Sequence, residues 1–144
     1  RDLVRSRGLG DVYKRQGKTQ SKMFDVDKIA RDIISENGYG KYFGHATGHG
    51  VGLDIHESPV VSPRSETILK KGMIITDEPG IYLPGKFGVR IEDMLCVTDT
   101  GYKNFVSLPK ELIIGNKSLA FFVIVMYNVN CYITAYITVF PYER

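Results

Sequence analysis

All three histidines of the chain, His45, His49 and His56, fall within the run YFGHATGHGVGLDIHESP. Imidazole is the commonest metal-binding side chain and the usual proton shuttle near neutral pH. A solitary histidine is ordinarily a satisfied surface or core residue. Three among glycines, with Asp54 and Glu57 alongside, point to chemistry, because glycine lets a backbone approach a ligand or another element closely. The acidic counterparts lie downstream, in GMIITDEPGIY and FGVRIEDM. Glu78 ends an apolar run, and Glu92 is embedded in a β-branched one. Burying a carboxylate in an apolar strand is costly unless it is paired or ligates a metal. Strand alternation places Arg90 and Glu92 on one face. Alone they would read as a solvated pair worth under about 1 kcal/mol. With Glu78 and the histidines, metal chemistry is the stronger reading.

Other local templates fail. His56-Glu57 is followed by Val60 where a zincin helix needs its second histidine. Gly48, Gly50 and Gly52 do not have dinucleotide-loop spacing. A phosphate loop ending at Gly17-Lys18-Thr19 would need glycine where Val12 stands. No G-x-S-x-G elbow is present.

The elements that must position these residues are short. Val26, Ile29, Ala30, Ile33 and Ile34 recur with helical spacing and predict an amphipathic helix, with Asp25 as N-cap and Gly38 just past its C-terminus. The glycine-dense stretch 44–52 excludes a helix. Strands are expected at 73–76 and 89–97, with turns at Pro79-Gly80 and Pro84-Gly85. A helix followed by strands predicts an α+β fold.

Charge divides the 144 residues into three zones. Residues 1–16 carry five basic and two acidic side chains and read as an irregular, foreign-looking or disordered lead. Residues 17–116 carry twelve basic and thirteen acidic side chains and hold the folding signals. The body therefore has no basic stripe to track phosphates, which argues against nucleic acid as a partner. Residues 117–144 form an apolar tail of uncertain origin. Its uncharged stretch 119–140 is long enough to cross a bilayer. Asn128, Asn130 and its β-branched composition argue against a membrane span. Cys96 and Cys131 form no zinc-type spacing, in keeping with a reducing compartment.

The runs GHATGHGVGLDIHE, GMIITDEPGIY and GVRIED resemble, in this order, the C-terminal part of the catalytic domain of the pita-bread metallopeptidases. They are most similar to the Xaa-Pro aminopeptidase and prolidase branch. The setting of the last glutamate, Val89-Arg90-Ile91-Glu92-Asp93, differs from the Q-x-E-H-T context of methionine aminopeptidases.

The resemblance implies a partial pita-bread fold lacking its N-terminal part. It also implies a cytoplasmic exopeptidase that cleaves between an N-terminal residue and a following proline. His49, Glu78 and Glu92 match metal ligands, His56 and His45 match histidines facing the substrate, and Glu78 doubles as general base. Arg90 matches an arginine that braces the ligands. Two divalent ions, manganese or cobalt, and a homodimeric parent are implied as well. Two further aspartate ligands of the family have no counterpart, since Asp2, Asp11, Asp25 and Asp27 lie outside that motif. The chain by itself is therefore expected to be inactive. A non-catalytic peptide-binding module and a methionine aminopeptidase-like enzyme are the alternatives.

Overall fold

Helix α1 (Met23–Glu36) begins two residues before the expected N-cap, Asp25. Lys22 caps it, and Asp25 lies in the first turn, where its carboxylate accepts the Lys22 amide at 2.7 Å. A carboxylate there also complements the positive end of the helix dipole. The C-terminus ends as the sequence predicts. Gly38 takes φ 82°, its amide donates to the Ser35 carbonyl at 2.9 Å, and that of Tyr39 donates to Ile34 at 3.0 Å. This paired closure needs a left-handed residue, which only glycine adopts freely. Met23, Val26 and Ile34 are buried, while Ala30 and Ile33 are half-buried.

The computed structural model describes residues 21–107 and the backbone of 137–141. A 3-10 turn (Gly40–Tyr42) follows the helix. Then come β1 (Gly48–Gly50), β2 (Glu57–Val61), β3 (Ile74–Asp77), β4 (Gly80–Leu83), β5 (Phe87–Ile91), β6 (Asp93–Val97), β7 (Tyr102–Asn104) and β8 (Ile137–Pro141). They form one sheet of order β2-β1-β3-β6-β7 and a second of order β4-β5-β8, antiparallel throughout. The fold is α+β, as expected.

The core joins Met23 and Val26 of α1 to Val61, Leu69, Ile75, Leu95 and Val97 of the large sheet and its connections. Burying each of the larger aliphatic side chains stabilises the fold by about 1.5–3 kcal/mol. In β6 burial alternates, with Asp93, Leu95 and Val97 inward.

Where the sequence predicts one strand over 89–97, the structure has two. The chain leaves the small sheet after Ile91 and enters the large one at Asp93, so Glu92 stands at the crossing. The reason is the pairing partners. The hairpin through Pro84-Gly85 commits β5 to β4, whereas β6 pairs with β3. The chain crosses between the sheets a second time at Glu78-Pro79, between β3 and β4. Proline has no amide to continue a ladder. Register brings the two crossings side by side: Asp77 faces Asp93, Gly80 faces Arg90, and the Ile91 amide reaches the Pro79 carbonyl. Arg90 and Glu92 are therefore not members of one strand.

Residues 137–141, from the apolar tail, add the last strand to the small sheet. They pair with the whole of β5, from Phe87 opposite Pro141 to Ile91 opposite Ile137. The expectations for the lead, for Cys131 and for the rest of the tail fall outside the described residues. Among the described residues, no helix is long and apolar enough to cross a membrane.

Candidate metal centre

Strand β1 carries His49 between two glycines, and the structure shows why they are needed. A Cβ on Gly48 would lie 2.0 Å from the Thr76 carbonyl oxygen, and one on Gly50 would lie 2.6 Å from that of Ser58. The strand is squeezed between β2 and β3, and any side chain at either position would push a neighbour away. The tight fit sets His49 against Glu78, with Nε2 3.1 Å from Oε1. The His49 Nδ1 lies 2.9 Å from the Gly50 carbonyl. A carbonyl only accepts, so Nδ1 carries the proton, and in the neutral ring the Nε2 lone pair faces the carboxylate. Two acceptors facing each other are reconciled by a shared proton or by a cation.

Glu78 is buried, and its oxygens are held from several sides. The Thr76 hydroxyl donates to Oε1 at 3.0 Å and accepts the His49 amide at 3.0 Å. Arg90 Nη1 lies 3.6 Å from Oε2. The Glu78 amide donates to the Thr47 carbonyl at 2.7 Å. Glu92 lies close enough for the two carboxylates to repel. Burial, then the Glu78 charge, push its carboxyl up to about 7; Arg90 opposes the shift and Asp93 adds to it.

His45 stands at the end of a polar relay. Arg90 Nε donates to the Tyr82 hydroxyl at 2.8 Å, and that oxygen lies 3.1 Å from His45 Nε2. The His45 Nδ1 lies 2.7 Å from the Ala46 carbonyl, so it is the N–H donor and Nε2 accepts from Tyr82 in the neutral ring. His56 is exposed, with its ring centroid 4.4 Å from that of His49. Asp54 and Glu57, noted beside the histidines, instead close the loop on itself: the Asp54 amide donates to Glu57 Oε1 at 2.8 Å.

The structure thus brings together His49, Glu78, Arg90, His56 and the electrostatic reach of Glu92, with His45 linked through Tyr82. Of the three residues matched to metal ligands, His49 and Glu78 stand in direct contact, and the Glu78 charge acts on Glu92. Among the described residues, no three His, Cys, Asp or Glu side chains lie close enough to hold a metal ion. Glu78 is engaged by His49, Thr76 and Arg90, while Glu92 stands at the neighbouring sheet crossing. The donor chemistry of His49 and Glu78 fits a divalent cation, and Glu92 is a carboxylate within electrostatic reach of Glu78. Sequence reasoning missed Thr76 and Tyr82. Strand alternation in Thr76-Asp77-Glu78 could have signalled Thr76, but Tyr82 joins the site only through the β4–β5 register.

The model of metallopeptidase family M24 matches residues 13–99. A peptidase of Bacillus subtilis, YqhT, is 48% identical over 109 residues, covering 76% of this chain and 30% of its own length. An Xaa-Pro dipeptidase of Pyrococcus horikoshii is 55% identical over 89 residues, 62% of this chain and 25% of the relative. The solved Xaa-Pro dipeptidase from Bacillus anthracis superposes with a TM-score of 0.65 at 47% identity, covering 75% of this chain and 31% of that structure. The chain spans about a third or less of the length of these relatives. Its α+β architecture is accordingly a portion of the pita-bread fold. Profile, relatives and superposition agree over the segment that carries the histidines and both glutamates, and the chain belongs to metallopeptidase family M24.

Proposed function

We propose that this chain supplies the C-terminal part of the active site of a metal-dependent exopeptidase that hydrolyses the bond between an N-terminal residue and a following proline. The observation that carries the reading is the His49 Nε2 lone pair set against the buried Glu78 carboxylate, 3.1 Å apart. The dipeptidase names of the relatives support the substrate class. His49, Glu78 and Glu92 would hold divalent cations, manganese or cobalt. Such ions, when bound, make water a nucleophile at neutral pH and polarise a carbonyl.

The chain's own residues have the following parts. Glu78 accepts a proton from the attacking water and returns it to the departing proline nitrogen, acting as base and then acid. Thr76 and His49 hold its carboxylate in one orientation for both transfers. His56 donates a hydrogen bond to the oxygen that gains charge as the carbonyl is attacked, and His45 assists from the same side. Arg90 braces both Glu78 and Tyr82, and through Tyr82 the His45 ring.

Residues 17–116 form the main folded unit, with 1–16 and 117–144 as additions, of which 137–141 pair along β5. A cytoplasmic, homodimeric parent completes the proposal. Three ligands fall short of a two-metal site, so the isolated chain is inactive.

The test is a chimera in which residues 17–116 replace the matching segment of the Pyrococcus horikoshii dipeptidase. It should hydrolyse an Xaa-Pro dipeptide in manganese or cobalt and lose that activity on His49→Ala or Glu78→Gln. Retained turnover in Glu78→Gln would overturn the assignment.

A further inference from the structure

Helix α1 carries a charged pair that none of the site chemistry uses. Asp27 is fully buried, at 0% exposure, next to core residue Val26. Arg31, one turn on, grips it with both ends of its fork: Nε to Oδ2 at 2.6 Å and Nη2 to Oδ1 at 3.0 Å. The fork then reaches out of the helix. Nη1 donates to the Phe43 carbonyl at 3.0 Å, and Nη2 donates to the His45 carbonyl. The guanidinium also stacks on the buried Phe43 ring, 4.4 Å from its centroid. Asp27 Oδ1 meanwhile accepts from both the amide and the hydroxyl of Thr47, at 3.2 and 2.8 Å. Thr47 is itself fully buried, and its carbonyl holds the Glu78 amide.

We propose that Asp27 and Arg31 are positioning residues, a clamp that fixes the backbone of His45 through Arg31 and that of Glu78 through Thr47. A planar, forked guanidinium can hold a carboxylate and two carbonyls at once; a lysine ammonium cannot. A buried ion pair seldom adds net stability over an apolar one, so its retention here fits a specifying role. The roles of His45 and Glu78 rest on the exopeptidase reading, but the clamp itself does not.

The test reads geometry rather than turnover, on the full 144-residue chain. Imidazole ¹⁵N spectra report the His45 tautomer, and amide exchange reports Thr47 and Glu78. Arg31→Lys keeps the charge facing Asp27 but removes the fork. It should shift the His45 ring nitrogens away from the pure Nδ1–H pattern, while exchange at Ile75 and Leu95 in the β3–β6 ladder stays unchanged. Thr47→Val removes the hydroxyl that binds Asp27. It should speed exchange at Glu78 by about tenfold, the local opening that one lost hydrogen bond permits, and leave the His45 ring as it was. If Arg31→Lys fails to fold, Thr47→Val decides alone. Unchanged His45 and Glu78 signals, or equal acceleration at Ile75 and Leu95, would overturn the clamp. The chimera assay could fail with these signals intact, which separates the two readings.

Discussion

The Thr76 hydroxyl donates to Glu78 Oε1 at 3.0 Å from two residues earlier in the same chain segment. Strand alternation alone puts the two side chains on one side, and the same oxygen accepts the His49 amide from β1. One hydroxyl therefore ties the histidine strand to the glutamate. Thr76→Val keeps the shape and removes both bonds inside a buried site. A hydrogen bond to a charged group contributes about 1.5–3 kcal/mol. We expect a loss of that order in denaturant unfolding; a loss under about 0.5 kcal/mol, the usual size for surface substitutions, would show the bond to be idle.

Two glycines should differ in their intolerance of alanine. At Gly48 the added carbon would overlap the Thr76 carbonyl, so β1 and β3 must part. At Gly38 nothing lies within 4 Å, and the obstacle is only the left-handed backbone. Gly38→Ala should cost about 1–2 kcal/mol. Gly48→Ala should cost more and also disturb the His49 ring resonances, which Gly38→Ala should leave in place.

Asp27 with Arg31 and Lys28 with Asp32 are ion pairs of the same helical spacing on α1. They differ in solvent. The Lys28 and Asp32 side chains are 53% and 50% exposed, whereas Asp27 is fully buried. Asp32→Asn should change stability by no more than about 0.5 kcal/mol. Asp27→Asn leaves a half-buried guanidinium without its counter-charge and should cost about 3–5 kcal/mol. Thermal melting of the two variants side by side settles the ordering, and equal effects would contradict it.

Manganese should raise the melting temperature of the full chain in a dose-dependent way, because a cation bound only by the folded state stabilises it. At a hundredfold excess over the dissociation constant the gain is about 2.7 kcal/mol. His49→Ala and Glu78→Gln should each abolish the shift, while Asp54→Asn, in the exposed loop, should not. A shift that persists in His49→Ala would place the cation elsewhere.

How much of this could be read from the chain follows the range of the forces involved. The α1 stripe, the Gly38 terminus and the turn at Pro84-Gly85 were legible because each depends on residues within one or two turns of one another. The candidate residues His49, Glu78, Glu92 and Arg90 were legible from side-chain chemistry and motif spacing. The start of α1 was misplaced because Asp25 satisfies the Lys22 amide from inside the first turn as well as a cap would from outside it.

What the tertiary structure alone decided is where these residues meet. The run 89–97 is uniformly β-forming, and nothing in it marks Glu92 as a break. The break arises because β5 and β6 answer to different partners, β4 and β3, and pairing between distant segments leaves no local trace. The same register sets the crossing at Glu78-Pro79 beside the crossing at Glu92, and it brings Tyr82 between Arg90 and His45. Residue types declared the chemistry; non-local strand pairing decided which of them stand within a hydrogen bond of one another.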